Sequence, residues 1–83
     1  MSIEKKLRQY VLDNYLFTDD QSALVNEDSF LERGIIDSTG ILEMISYINK
    51  EYNIVISDDE MIPENLDSIN NLVAFITRKL GKS

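Results

Sequence analysis

Apolar residues recur at helical spacing in three long stretches of the chain, and no segment of any length alternates apolar with polar as a strand does. In the first stretch Ile3, Leu7, Tyr10, Val11 and Asn14 fall near one stripe. That predicts a helix from about Ser2 to Phe17, its first turn capped by the Ser2 hydroxyl. In the second, Ile41, Ile45, Ile48 and Tyr52 share a face, flanked by Leu42 and Met44. That predicts a helix from Asp37 or Ser38 to about Tyr52, stopped by a left-handed Asn53. In the third, Ile69, Leu72, Val73 and Ile76, joined by Leu80, mark a helix from about Ser68 to Leu80. Asp67 or Ser68 supplies its cap, Arg78, Lys79 and Lys82 suit its C-terminal end, and Gly81 is its expected stop.

The connections carry turn residues, yet they are not polar throughout. Residues 18–36 hold Asp19, Asp20, Asn26, Asp28, Ser29 and Gly34, but also Leu24, Phe30, Leu31, Ile35 and Ile36. So long a loop with that apolar content is expected to pack on the helices, with a short helical turn near Phe30 and Leu31. Between the second and last long helices, Asp58, Asp59 and Glu60 open a short turn, and Pro63 breaks it or starts another. The expected fold is all-α: a four-helix bundle of three long helices and one short one, with a long first loop. At 83 residues it forms one small domain, residues 1–83.

Composition narrows the chemistry. The formal net charge is −7, which disfavours nucleic acid and anionic membrane as partners. Cys, His and Trp are absent. No disulfide, thiolate metal site or Ser-His-Asp triad can be built from this chain alone, so it is not expected to be an enzyme. The start has no secretory pattern and no apolar run reaches membrane-spanning length, so a cytoplasmic monomer is expected. Asp58-Asp59-Glu60 lacks the glycine and terminal-glutamate spacing of a calcium loop and reads as a solvated helix start. Lys5, Lys6 and Arg8 read as a solvated basic face, and Tyr10, Tyr15, Tyr52 and Phe75 as packing residues.

One segment goes beyond packing. In Gly34-Ile35-Ile36-Asp37-Ser38-Thr39-Gly40 a serine stands where a loop becomes a helix. Taken alone, Asp37 and Ser38 are good N-cap residues and nothing more. The surroundings resemble the acyl and peptidyl carrier protein family, which has an Asp-Ser-Leu signature at the start of its second helix, after a glycine and a short apolar stretch. Here the signature reads Asp37-Ser38-Thr39, followed by Leu42-Glu43-Met44-Ile45. Phe30-Leu31-Glu32, Glu51-Tyr52, Ile56-Ser57-Asp58-Asp59-Glu60, Asp67-Ser68-Ile69 and Phe75-Ile76 extend the resemblance over most of the chain.

The resemblance implies a 4′-phosphopantetheine arm esterified to Ser38, with Asp37 as motif residue and helix cap. It implies a phosphopantetheinyl transferase, an acyl- or aminoacyl-adenylating ligase, and acyltransferase or synthase enzymes as partners, in lipid or secondary-metabolite biosynthesis. The cargo would be acyl intermediates held as thioesters, with an aminoacyl cargo as the alternative. An arm-less adaptor has no use for the Ser38 hydroxyl, and a hydrolase using it would lack its histidine. The outer face of the second helix, expected to meet partners, is Thr39, Glu43, Ser46, Tyr47 and Lys50. The chain departs from the family at Thr39 and Gly40, and at Asn49 and Lys50, where fatty-acid carriers have acids. The stretches Gly34 to Ser38 and Ile62 to Ser68 look more like carriers served by stand-alone ligases. An Asp at Gly40 is expected to add helix stability, by removing the glycine penalty and placing an acid in the first turn.

Overall fold

The computed structural model describes residues 2–81, and every element in that range is helical. The long helices are α1 (Ile3–Val11), which runs on into a wider π-turn (Leu12–Leu16), α3 (Ser38–Tyr52) and α5 (Ile69–Gly81). Two single-turn helices complete the set, α2 (Phe30–Arg33) and α4 (Pro63–Leu66), with 3₁₀ turns at Gln21–Ala23 and Asp58–Glu60. The all-α expectation holds, and so do most helix ends. The Ser2 hydroxyl accepts the Lys5 N–H at 3.1 Å, and Asn53 is left-handed with φ 55°. Buried Ser68 caps α5 by accepting the Asn71 N–H at 3.1 Å. Gly81 still belongs to α5 and is not a left-handed stop. The expectation for Lys82 lies outside the described residues.

α1 and α3 run antiparallel. Tyr15 meets Gly40 at one end, and Lys6 pairs with Glu51 at the other. α1 also packs on α5, and α4 lies against α5. The core takes Leu7, Val11 and Leu12 from the first helix, Met44, Ile45 and Ile48 from α3, and Ile69, Leu72, Phe75 and Ile76 from α5. Each such side chain contributes roughly 1.5–3 kcal/mol on leaving water. The long loop adds Leu24, Phe30 and Ile36 to this core, as its apolar content predicts.

Two polar anchors hold that loop. Arg8 donates to the carbonyls of Gln21 (2.6 Å) and Leu24 (2.8 Å) and to Asn26 Oδ1 (2.6 Å). It is a clamp and not the solvated cation expected from the sequence; the cause is contact at long range, which periodicity does not report. At the other end Asp67 accepts the Ser29 hydroxyl and the Leu31 N–H (3.0 Å), while its own carbonyl accepts the Phe30 N–H (2.9 Å).

The turn Asp58–Glu60 is tied to α5. Glu60 accepts the Ser57 N–H at 3.0 Å and pairs with Lys79 at 3.0 Å. The Ser57 amide first, and Lys79 after it, hold the Glu60 carboxyl below its ordinary 4.5. A depressed folded-state pKa stabilises the fold fully above that ordinary value, and the contribution is lost as pH falls through the folded value. Glu60→Gln should therefore lower the melting temperature at pH 7, and the gap to wild type should close in acid below 4.5. Thermal melts across the pH series check this; a gap that persists at low pH would assign the loss to packing and not to charge.

No helix among the described residues is long and apolar enough to cross a membrane.

Candidate functional site

The approach to α3 is built to present its first turn. Gly34 (φ 71°) closes α2 in the left-handed region, where a side chain would be strained. The Ile35 N–H then bonds back to the Phe30 carbonyl at 2.9 Å, and Ile36 drives its side chain into the core. With Phe30 and Ile36 both buried, the chain between them has little freedom, and Asp37 arrives at a fixed place. Asp37 is extended, and its Oδ1 accepts the Gly40 N–H at 2.8 Å. It is the N-cap, as the sequence predicts.

Ser38 follows as the first residue of α3 and is exposed, as is Thr39. The Ser38 hydroxyl and the N–H groups of Ser38 and Thr39 make no hydrogen bond among the described residues. A free hydroxyl thus sits beside free amides at the positive end of a 15-residue helix. Beside it opens a groove of about 140 Å³, lined by Ser38, by Asp67 and by the apolar Leu31, Ile41, Met61, Ile62, Pro63 and Leu66.

Gly40 is buried for a steric reason. A Cβ there would lie 2.6 Å from Ile36 Cγ2, 3.1 Å from Tyr15 Cε1 and 3.3 Å from Asp37 Oδ1. The Tyr15 hydroxyl lies 3.1 Å from the Gly40 carbonyl and 3.0 Å from Glu43 Oε1, both of which can accept its proton. Burial first, then Tyr10 and Glu43, raise the pKa of Tyr15 well above the usual phenol range, so it stays a donor. Expected as packing alone, Tyr15 also makes these polar contacts.

The outer face of α3 is partly as expected. Thr39, Glu43, Ser46 and Lys50 are exposed, although the Glu43 carboxylate is engaged by Tyr15. Tyr47 is a correction. It is half-buried and stacks on Tyr10 with ring centroids 4.1 Å apart, because α1 covers that edge of the helix. Leu42 is the opposite correction: predicted beside the core face, it is 59% exposed. It stands one turn beyond Ser38, at i+4, on the side that looks away from α1. Asn49, read as a surface departure, is half-buried with its side-chain oxygen shielded from solvent. The i, i+4 spacing from Ser38 was the available signal for Leu42. Nothing local in the sequence marked Tyr15.

Comparison with known proteins agrees with this geometry. A profile of the phosphopantetheine attachment site family matches residues 6–76, from α1 through most of α5. The chain is also 24% identical over 76 residues to the "Probable acyl carrier protein PigG" of Serratia sp. (strain ATCC 39006), an alignment covering 92% of this chain and 86% of that protein. By the extent of the profile match, the chain belongs to the phosphopantetheine-attachment family of carrier proteins.

Proposed function

We propose that this chain is an acyl carrier protein, a single non-catalytic domain that holds acyl intermediates as thioesters on a phosphopantetheine arm at Ser38. The observation that carries the reading is the exposed, unengaged Ser38 hydroxyl at the first position of α3, beside the free N–H groups of Ser38 and Thr39. Those residues suit the group. A phosphodiester on Ser38 would meet unpaired amides and the positive end of the helix dipole. Bound there, the arm supplies a terminal thiol that carries cargo as a thioester.

In the attachment, Ser38 Oγ bonds to the phosphorus that bears pantetheine in coenzyme A. The diphosphate P–O bond breaks, 3′,5′-ADP leaves, and the hydroxyl proton passes to a base of the transferase. That base and Mg²⁺ come from the partner, which suits a chain without histidine. An adenylating ligase then loads cargo, and acyltransferases or synthases take it off. The reading places the protein in the cytoplasm as a monomer.

The cargo is acyl in this reading, with an aminoacyl group as the alternative. The test is the intact mass of the protein purified from its own host and, separately, after incubation with a phosphopantetheinyl transferase, coenzyme A and Mg²⁺. One added arm, mapped to the Ser38 peptide, is expected in both, and any cargo on the native form identifies itself by mass. No added arm in either sample would refute the carrier reading.

A further inference from the structure

The end of α1 is irregular, although Leu12 is buried in it and Leu16 packs on the core. After Val11 the helix widens into the π-turn Leu12–Leu16, and Phe17 then closes it in the left-handed region with φ 54°. A left-handed residue is a common helix stop, but for a residue other than glycine or asparagine it is strained. Phe17 itself gains nothing by it, being 79% exposed. The π-turn also makes a polar contact at long range. Tyr15 reaches α3, where its hydroxyl lies 3.1 Å from the Gly40 carbonyl and its ring lies against the bare Cα of that glycine. π-turns inside α-helices often mark functional positions.

Gly40 is thereby held on every side. Asp37 takes its N–H, Tyr15 approaches its carbonyl, and the Ile36 methyl and the Tyr15 ring close over its Cα. Ser38 and Thr39, between Asp37 and Gly40, touch none of these groups through hydrogen bonds of their own. Their own N–H groups are unpaired, and they are placed by Asp37, by Gly40 and by the helix ladder that their carbonyls join.

We propose that Tyr15 is a positioning residue for the chemistry at Ser38: its hydroxyl, shared between the Glu43 carboxylate and the Gly40 carbonyl, ties the first turn of α3 to α1, so that the Ser38 hydroxyl meets the incoming phosphorus in line. This rests on Ser38 being the attachment residue. A hydroxyl held at the reaction distance reacts far faster than one on a loose turn. Gly40 is what permits the approach, because any side chain there would push Tyr15 away.

The test is steady-state arm transfer by a phosphopantetheinyl transferase with saturating coenzyme A, comparing wild type with Tyr15→Phe well below both melting temperatures. Tyr15→Phe keeps the ring and removes only the hydroxyl. The expected result is a kcat lower by about tenfold, with KM for the protein changed by less than about twofold. Loss of structure alone gives another pattern, since unfolded molecules merely dilute the substrate, raising apparent KM and leaving kcat as it was. A second readout is the amide order parameter at Ser38, Thr39 and Gly40, which should fall in Tyr15→Phe while those of α5 hold. Tyr15→Leu, which also removes the ring, should lower kcat further. A Tyr15→Phe protein with the kcat of wild type overturns the proposal, whatever its KM. If wild type accepts no arm at all, the attachment reading fails with it; if wild type is modified and only the Tyr15 effect is missing, the attachment reading stands and the positioning role is lost.

Discussion

Ser38→Ala abolishes arm addition and leaves the fold as it is. The fold half of this result follows from what Ser38 does not do. Its hydroxyl bonds to no described residue and its side chain is exposed, so truncation leaves no cavity and no orphaned partner. Asp37 still caps Gly40, and alanine is the best helix former, so the stability change should stay within about 0.5 kcal/mol. The chemical half follows from comparing the other serines. Ser2 caps α1, Ser68 caps α5, and the hydroxyls of Ser22, Ser29 and Ser57 donate to Asp20, Asp67 and Asp59. Ser46 is exposed, but it lies in the middle of α3, where the helix ladder has used the nearby amides. Among the described serines, Ser38 alone joins a free hydroxyl to free N–H groups. Mass spectrometry after transferase treatment should show one arm on wild type and none on Ser38→Ala, with superimposable thermal melts. An equal mass gain in the variant would move the attachment to another residue.

The helices were legible because their signals are local. Ser2, Asp37, Ser68 and Asn53 act within one turn of themselves, so the sequence around each is enough to place a cap or a stop. The site serine was legible for a related reason: an Asp-Ser pair at a loop-to-helix junction, within the right order of helices, resembles a known family. What stayed hidden depends on contacts between distant segments. A strict 3.6 period carried from Ile3 puts Asn14 on the buried stripe. The π-turn begins at the buried Leu12 and shifts the register beyond it, and Asn14 faces solvent, its side chain bonding back to the Tyr10 carbonyl at 2.9 Å. Arg8 looks like one of three surface cations until the loop folds over it. Tyr47 and Leu42 exchange roles because α1 covers one edge of α3 and leaves the other open. Each miss concerns which side of a correctly placed helix has a neighbour.

Gly40 shows how far such a neighbour reverses a local expectation. By propensity, Gly40→Asp should help: leaving glycine gains a few tenths of a kcal/mol, and an acid in the first turn gains about 0.3–1 kcal/mol from the dipole. Those gains assume open space. Here the new Cβ would sit 2.6 Å from a methyl of Ile36, whose side chain is buried and cannot swing into solvent. It would also press on the Tyr15 ring at 3.1 Å, and the carboxylate would enter beside that of Asp37, whose Oδ1 is 3.3 Å from the Cβ. Overpacking of this kind typically costs about 1–3 kcal/mol, and like-charge crowding adds to it. The net effect of Gly40→Asp is a loss of about 2 kcal/mol, which in a domain of this size lowers the melting temperature by roughly 8–16 °C. Gly40→Ala meets the same methyl without the charge and recovers about 1 kcal/mol of propensity, so its loss should be the smaller. Urea and thermal unfolding of the three proteins at pH 7 measure both steps. The order wild type, Gly40→Ala, Gly40→Asp is expected. If Gly40→Asp melts at or above wild type, Ile36 and Tyr15 give way at little cost, and the tight contact at Gly40 does not govern the start of α3.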